Sequence, residues 1–417
     1  MRAVDIFTPG KAPTVTFVGD HLAKREGMLR DALEQGGMLI SISGPSKSGK
    51  TVFIRSVLGA ECVVFVTGAG VTSPDQLWER VFHAIGTPVT STSSTSSQAS
   101  SKVGATGQVS GSVLVAKGQI GVNVEKASSD TESVSNTEAS SHLGLLVREM
   151  AGTGMVLFID DFHYVPRELQ EELARQIKDA IASGVQIICA SVPYRSEDVL
   201  RANPDLRGRV VGIDFDYWDE PTLRKIGALG FAALKVEADP VLIAKFASEA
   251  AGSPQLMQAL CLNACLETGF REVQKNLASL PFEEGVARTV CGRTAHSADY
   301  SGTLERLHEG PKTRGTERNQ YRLTDRSVGD VYTILLQALA QDPPTLHFQY
   351  ADLLARIKVV CESDTPPGSS VTTSCQHIAL LANDGQARDI VGWDATQDVF
   401  DIRDPYLLFF MRWGGMS

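Results

Sequence analysis

Five short apolar runs set the rhythm of the first half of the chain: Met38 to Gly44, Cys62 to Thr67, Met155 to Ile159, Val185 to Ala190 and a weaker Val210 to Phe215. Each is apolar almost throughout, the pattern of parallel strands covered by helices on both faces. Between them the period lengthens to that of amphipathic helices, at Ser48 to Leu58, at Arg167 to Ala182, and at Pro74 to Ile85 behind a Ser73 cap with proline in the first helical position. The alternation predicts an α/β domain over residues 1–217, a parallel sheet flanked by helices. From Glu220 to Thr268 the strands cease, and three helical patterns broken at Ala238-Asp239-Pro240 and Gly252-Ser253-Pro254 predict a helical domain over 218–270.

Residues 271–326 are mixed in pattern and read as a connector, most clearly from Pro311 to Arg322. The segment 327–417 opens on a helical pattern from Val328 to Ala340 ended by Asp342-Pro343-Pro344. Helical patterns at Phe348 to Val359 and Val371 to Leu381, then an extended Ile390 to Ile402 with a turn, predict a winged-helix-like domain. One stretch breaks the rhythm: 87–141 is an insertion dominated by Ser, Thr and Gly, a composition that cannot bury a core. Within it Val113, Val115, Ile120, Val122 and Val124 alternate around Lys117-Gly118, so the insertion reads either as a disordered surface loop or as a projecting hairpin for subunit or partner contact.

A chain of 417 residues exceeds one ordinary core and agrees with division into several domains. Its formal net charge of -10 argues against nonspecific nucleic-acid binding by the whole molecule, leaving only a local basic site. No apolar run approaches the roughly 18 residues of a membrane span, and the N-terminus lacks a signal-peptide pattern, so a cytoplasmic protein with no membrane partner is expected. The seven cysteines contain no CxxC pair and suggest neither a zinc site nor a disulfide framework; Cys261 and Cys265 share a helix face as small core residues.

The chemistry is concentrated in Gly44-Pro45-Ser46-Lys47-Ser48-Gly49-Lys50-Thr51, a complete GxxxxGK[ST] match between a strand and a helix. Glycines 44 and 49 let the loop wrap so that backbone N–H groups and the helix N-terminus face phosphates. Lys50 is then expected to reach the β- and γ-phosphates, and the Thr51 hydroxyl to ligate Mg²⁺. Met155 to Asp161 supplies the complementary half, an apolar strand ending in two acids. Asp160 is the candidate on the magnesium side, and Asp161 stands where many ATPases carry the carboxylate that orients the attacking water, although its side chain is shorter than the usual Glu. Ser191, after the next strand, is a candidate for the γ-phosphate or the water, or else an ordinary loop serine. Among the arginines at 195, 201, 207 and 209, Arg209 and Arg207 are the first candidates for a finger acting on a neighbouring subunit.

The order of these features, with a helical lid and a winged helix behind them, resembles the AAA+ and STAND ATPases. Val18-Gly19-Asp20 is similar to the box that lies near the adenine in origin-recognition and STAND proteins, with Asp20 in place of the usual arginine. Gly252-Ser253-Pro254 resembles the lid motif whose proline, here Pro254, packs near the base. Gln255 follows where related AAA+ proteins place a second, arginine sensor of phosphate. The string Phe400 to Trp413 is similar to the closing segment of winged-helix regions in prokaryotic STAND-related ATPases.

The resemblance implies an α/β P-loop NTPase using ATP and Mg²⁺, with slow, switch-like turnover, that changes conformation or forms a homo-oligomer as ATP is exchanged for ADP. In the STAND family such switches serve signalling and bacterial antiphage defence, with output through a separate effector protein. The alternative is a DNA-associated AAA+ ATPase of the replication-initiator or transposition-helper type, using the winged helix and the basic residues Lys312, Arg314, Arg318 and Arg322. Against it, Val371 to Leu381 carries neither Lys nor Arg to read bases, and the basic residues also read as a solvated connector. A metabolic kinase is disfavoured, having no place for the helical and winged domains.

Overall fold

The computed structural model describes residues 1–88, 142–191, 206, 208–312, 315, 317–385 and 390–415. The possible hairpin around Lys117-Gly118, and the candidates Arg195, Arg201, Arg207 and Arg314, lie outside the described residues.

The first part of the chain runs α1 (Ala3–Ile6), α2 (Ala23–Gln35), β1 (Leu39–Ser43), α3 (Lys50–Leu58), β2 (Val63–Thr67), α4 (Pro74–Ile85), α5 (His142–Met150), β3 (Val156–Asp160), α6 (Arg167–Ala182), β4 (Gln186–Ser191) and β5 (Val210–Asp214). The five strands form one parallel sheet in the order β2-β3-β4-β1-β5. Successive side chains feed opposite cores, which is why the strands read as continuous apolar runs. Leu39, Leu157 and Ile159 pack with Trp78, Phe82, Leu146 and Ile177 on the α4–α5–α6 face. Ile40, Ile42 and Phe158 pack with Leu29, Phe53 and Ile54 on the α2–α3 face. Local chemistry sets the helix ends: Ser73 Oγ accepts from the Gln76 N–H at 3.4 Å to start α4, and Gly86 at φ 75 stops it.

A second layer follows: α7 (Glu220–Ala233), β6 (Val236–Ala238), α8 (Pro240–Glu249), α9 (Pro254–Glu267), β7 (Ala278–Leu280), α10 (Glu284–Ala295) and α11 (Ser301–Glu309). Asp219, Asp239 and Ser253 cap α7, α8 and α9, each with proline at the first or second helical position. Cys261 and Cys265 are buried in the core of α9. Two features differ from expectation. Residues 284–309, read as part of a connector, form two helices, because Ala287, Val290, Cys291 and Ala295 bury a small-residue face in the helical core. The N-terminus, assigned to the α/β part, also packs here: Phe7 fills a notch over Gly230, where a Cβ would meet its ring at 2.2 Å.

The remainder comprises β8 (Tyr321–Arg322), β9 (Val328–Gly329), α12 (Val331–Leu339), β10 (His347–Gln349), α13 (Tyr350–Val360), α14 (Gly368–Asn383), β11 (Val391–Asp394), β12 (Val399–Ile402) and α15 (Pro405–Trp413). Strands β10, β12 and β11 form an antiparallel sheet in that order. Helix α15 joins two cores, sending Leu407 and Leu408 into the C-terminal one and Tyr406, Phe409, Phe410 and Trp413 into the helical one. The junction is fastened by Glu249, which is 2% exposed and accepts from Arg412 Nη2 at 2.9 Å and Trp413 Nε1 at 2.7 Å. Burial alone would raise the Glu249 carboxyl, but the Arg412 hydrogen bond and charge outweigh it and hold it below the usual carboxylate range. The helical and C-terminal parts therefore share a common seam. No helix among the described residues is long and apolar enough to cross a membrane.

Candidate functional site

Parallel pairing puts Ser43, Ser191 and Asp214 side by side at the carboxyl end of the sheet, with Asp160 ending β3 one strand further on. That edge is where open α/β sheets present their loops to ligands. The loop from Gly44 to Gly49 leaves β1 here. Its turn depends on glycine at two points: a Cβ on Gly44 would meet Phe215 Cβ at 2.5 Å, and Gly49 has φ 97. Lys47 also adopts positive φ, at 62.

A cavity of about 730 Å³ opens above the loop. Its floor is Ser46 to Phe53, and Asp160, Asp161 and Ser191 line it from the neighbouring strands. Thr8 to Pro13, Val18 and Leu22 close one side, Trp218, Pro254, Gln255 and Gln258 a second, and Ile390, Arg403 and Asp404 from the C-terminal part a third. Of the residues singled out from sequence, Ser46 to Thr51, Val18, Asp160, Asp161, Ser191 and Pro254 all meet on this cavity. Gly44 and Pro45 shape it from behind, through carbonyls that accept from Lys50 Nζ at 2.7 and 2.8 Å. Gly19 lies behind Val18 as the residue capping a short 3-10 turn. Arg209 does not join them. It is exposed at the amino end of β5, the far edge of the sheet, so any finger role is confined to another subunit's site.

The polar groups on the floor match a phosphate ester and a divalent cation. Ser48 Oγ and Ser191 Oγ are buried with no hydrogen-bond partner among the described residues, a costly arrangement that a phosphate oxygen would relieve. Thr51 Oγ1 donates to Asp160 Oδ2 at 3.1 Å, so the two oxygens that would hold Mg²⁺ already meet. The ion would supply positive charge to the β- and γ-phosphate oxygens. Asp160 Oδ1 accepts from the Asp161 N–H at 2.9 Å, and Asp161 takes a left-handed backbone at φ 57, which turns the chain sharply at the end of β3.

Burial pushes the Lys50 ammonium down to about 8, against the opposing pull of the Asp160 and Asp161 carboxylates. This lies below the ordinary lysine value, so charging Lys50 costs stability at low pH, and that cost fades as pH rises through 8 towards 10.5. Binding an anion runs the other way, because it needs the proton. ATP affinity is expected to fall above pH 8, by up to about tenfold per pH unit. Equilibrium titrations from pH 7 to 9.5 check this, and a flat profile would remove Lys50 as the charged partner.

Several lining residues escaped the sequence reading. Trp218 Nε1 donates to the Ser48 carbonyl at 3.0 Å, its ring meets the His21 ring edge-on at 4.3 Å, and its N–H donates to the Gly252 carbonyl. It thereby ties the phosphate loop to the Gly252-Ser253-Pro254 turn. Gln258 is fixed at both ends, accepting from the Thr8 N–H at 3.2 Å and donating to Thr16 Oγ1 at 2.7 Å. Arg403 and Asp404 come from a strand end more than 350 residues along the chain from the loop. Only Asp404-Pro405, an acidic cap before a proline, left a local trace in the sequence.

The candidate patch in the connector is partly consumed by structure. Arg318 Nη1 donates to Asp330 Oδ2 at 2.8 Å and its guanidinium lies 4.6 Å from the Tyr332 ring centre. Arg322 faces Glu362 at 3.9 Å.

Comparison with known proteins agrees with this geometry. Residues 33–200 match a family model described as an AAA domain. No curated protein matches the sequence. Among solved structures, the ORC2 protein of Aeropyrum pernix, determined as ADPNP and ADP complexes, is 11% identical with a TM-score of 0.50, over 98% of this chain and 96% of that one. A Walker-type ATPase of Pyrococcus abyssi is 14% identical with a TM-score of 0.49, over 94% and 95%. Cdc6p of Pyrobaculum aerophilum is 13% identical with a TM-score of 0.43, over 97% and 96%. Residues 33–200 are thus similar to an AAA domain, and the chain is similar in overall fold to the ORC2 protein over nearly its whole length.

Proposed function

We propose that this chain is an ATP-binding and ATP-hydrolysing AAA+ protein whose conformation follows its nucleotide state, and that it acts on or beside duplex DNA. The observation that carries the nucleotide-dependent change is the three-sided cavity: the phosphate loop, Pro254-Gln255 and Arg403-Asp404 face one space, so what fills it is felt by all three parts. The order α12-β10-α13-α14-β11-β12 and the sheet order β10-β12-β11 support reading 327–417 as a winged helix. The likeness to the ORC2 protein solved with ADPNP and ADP supports a nucleotide in the cavity and favours the DNA-associated reading over a signalling one. In this reading Lys50 and Thr51 hold the β- and γ-phosphates and Mg²⁺, Asp160 completes the metal site, Asp161 orients the water, Ser191 touches the γ-phosphate and Arg209 serves a neighbour in a homo-oligomer.

A STAND-like switch in signalling or antiphage defence, with a separate effector, is the second reading. It is favoured by Gln255 in place of a sensor arginine, by α14 carrying no Lys or Arg, and by the tie between Lys47 and Asp404 across the cavity. The two differ in salt-dependent duplex binding. A DNA-associated protein binds duplex at low salt with ATP present and loses affinity steeply as salt rises. Absence of any duplex affinity at low salt with ATP eliminates that reading, and a change in molecular size between ADP and a nonhydrolysable ATP analogue, without DNA, then supports the switch.

A further inference from the structure

The phosphate loop already has an anion on it. Lys47 Nζ donates to both carboxylate oxygens of Asp404, at 2.8 and 2.7 Å, and lies 4.4 Å from the centre of the Tyr406 ring. The pair is largely shielded, with the Lys47 and Asp404 side chains 27% and 18% exposed. Asp404 is itself held from two directions. Tyr300 Oη donates to Oδ2 at 2.9 Å, and the Tyr406 N–H donates to Oδ1 at 2.9 Å, making Asp404 the cap of α15. Since α15 is anchored in both the helical and C-terminal cores, a force on Asp404 acts on that shared seam.

We propose that Asp404 occupies the phosphate end of the cavity as an internal competitor, latching the C-terminal part onto the loop through Lys47, and that a nucleoside triphosphate displaces it. This rests on the reading of the cavity as a triphosphate site. A carboxylate presents Lys47 with the same paired, negatively charged oxygens as a phosphate, and the two anions cannot share one ammonium without repelling each other. Binding of the polyphosphate therefore weakens the latch, and by reciprocity the latch weakens nucleotide binding by the same factor.

Asp404→Asn in the full chain tests this. Asparagine is an equally good helix cap, so α15 keeps its start while the charge is lost. ATP affinity in equilibrium titration is expected to rise about tenfold. Without nucleotide, the variant should show faster amide exchange over residues 404–408 and the small-angle scattering profile that the unaltered protein adopts only with a nonhydrolysable ATP analogue. Tyr300→Phe, which removes one hydrogen bond to Oδ2, should move both readouts the same way by less, and it serves if Asp404→Asn fails to fold. Unaltered affinity and scattering in these variants, alongside loss of ATP binding in Lys50→Ala, would overturn the latch and leave the nucleotide site standing. Retention of ATP by Lys50→Ala would overturn the site reading itself, and the latch with it.

Discussion

Lys50→Ala is expected to abolish measurable ATP binding. Lys50 Nζ holds the carbonyls of Gly44 and Pro45 at 2.7 and 2.8 Å, so it clips the loop at the position from which it would meet the β- and γ-phosphates. Alanine removes the clip and the cation together. Charge-assisted hydrogen bonds contribute about 1.5–3 kcal/mol each, so losing two to phosphate lowers affinity by roughly 100-fold or more. The fold should tolerate the change, because the ammonium is held down to about 8 by burial and its removal relieves that cost. A thermal midpoint close to that of the unaltered protein, together with loss of ATP in equilibrium titration, is the expected pair of results. Unchanged affinity would sink the assignment of this loop as a phosphate cradle.

What made the loop legible is that its chemistry is local. Two glycines, a lysine and a threonine at fixed spacing sit between an apolar run and a helical period, and Asp160-Asp161 end the run at Met155 to Ile159 in the same way. The sheet was legible because its central strands are buried on both faces and so read as short, largely apolar runs. Helix α2 was not: it fully buries only Leu29 and Ala32, with Met28 and Leu33 partly buried among charged residues, so its period carries little apolar contrast. Helix α10 packs through alanine, valine and cysteine with glycine and threonine among them, and its face is defined by the fit to α9 rather than by strong hydrophobicity. The seating of Phe7 over Gly230, and of Lys47 on Asp404, depends on segments brought together from far along the chain. Neither partner of such a pair marks the other in sequence. The third wall of the cavity was therefore invisible until the chain was folded, although Asp404-Pro405 already marked a helix start.

Asp161→Asn should retain ATP binding and lose turnover, by about 100-fold or more if Asp161 orients the attacking water. The substitution isolates chemistry from structure for a specific reason. Asp161 stands at φ 57, a region that asparagine tolerates about as well as aspartate, and the backbone N–H it donates to Asp160 Oδ1 at 2.9 Å is untouched. The turn at the end of β3 and the Thr51–Asp160 contact at 3.1 Å consequently survive. What changes is one negative charge on the cavity wall. Its loss removes repulsion of a polyphosphate, so affinity should hold or tighten, while an amide no longer polarises a water as a carboxylate does. Titration against ATP and phosphate release at saturating ATP separate the two effects. Turnover equal to that of the unaltered protein would assign the water to another group, and Ser191, whose buried Oγ has no partner among the described residues, is the next position to substitute. Loss of binding in Asp161→Asn would instead place this carboxylate with Asp160 in holding the metal, a role the short reach of aspartate at this turn also permits.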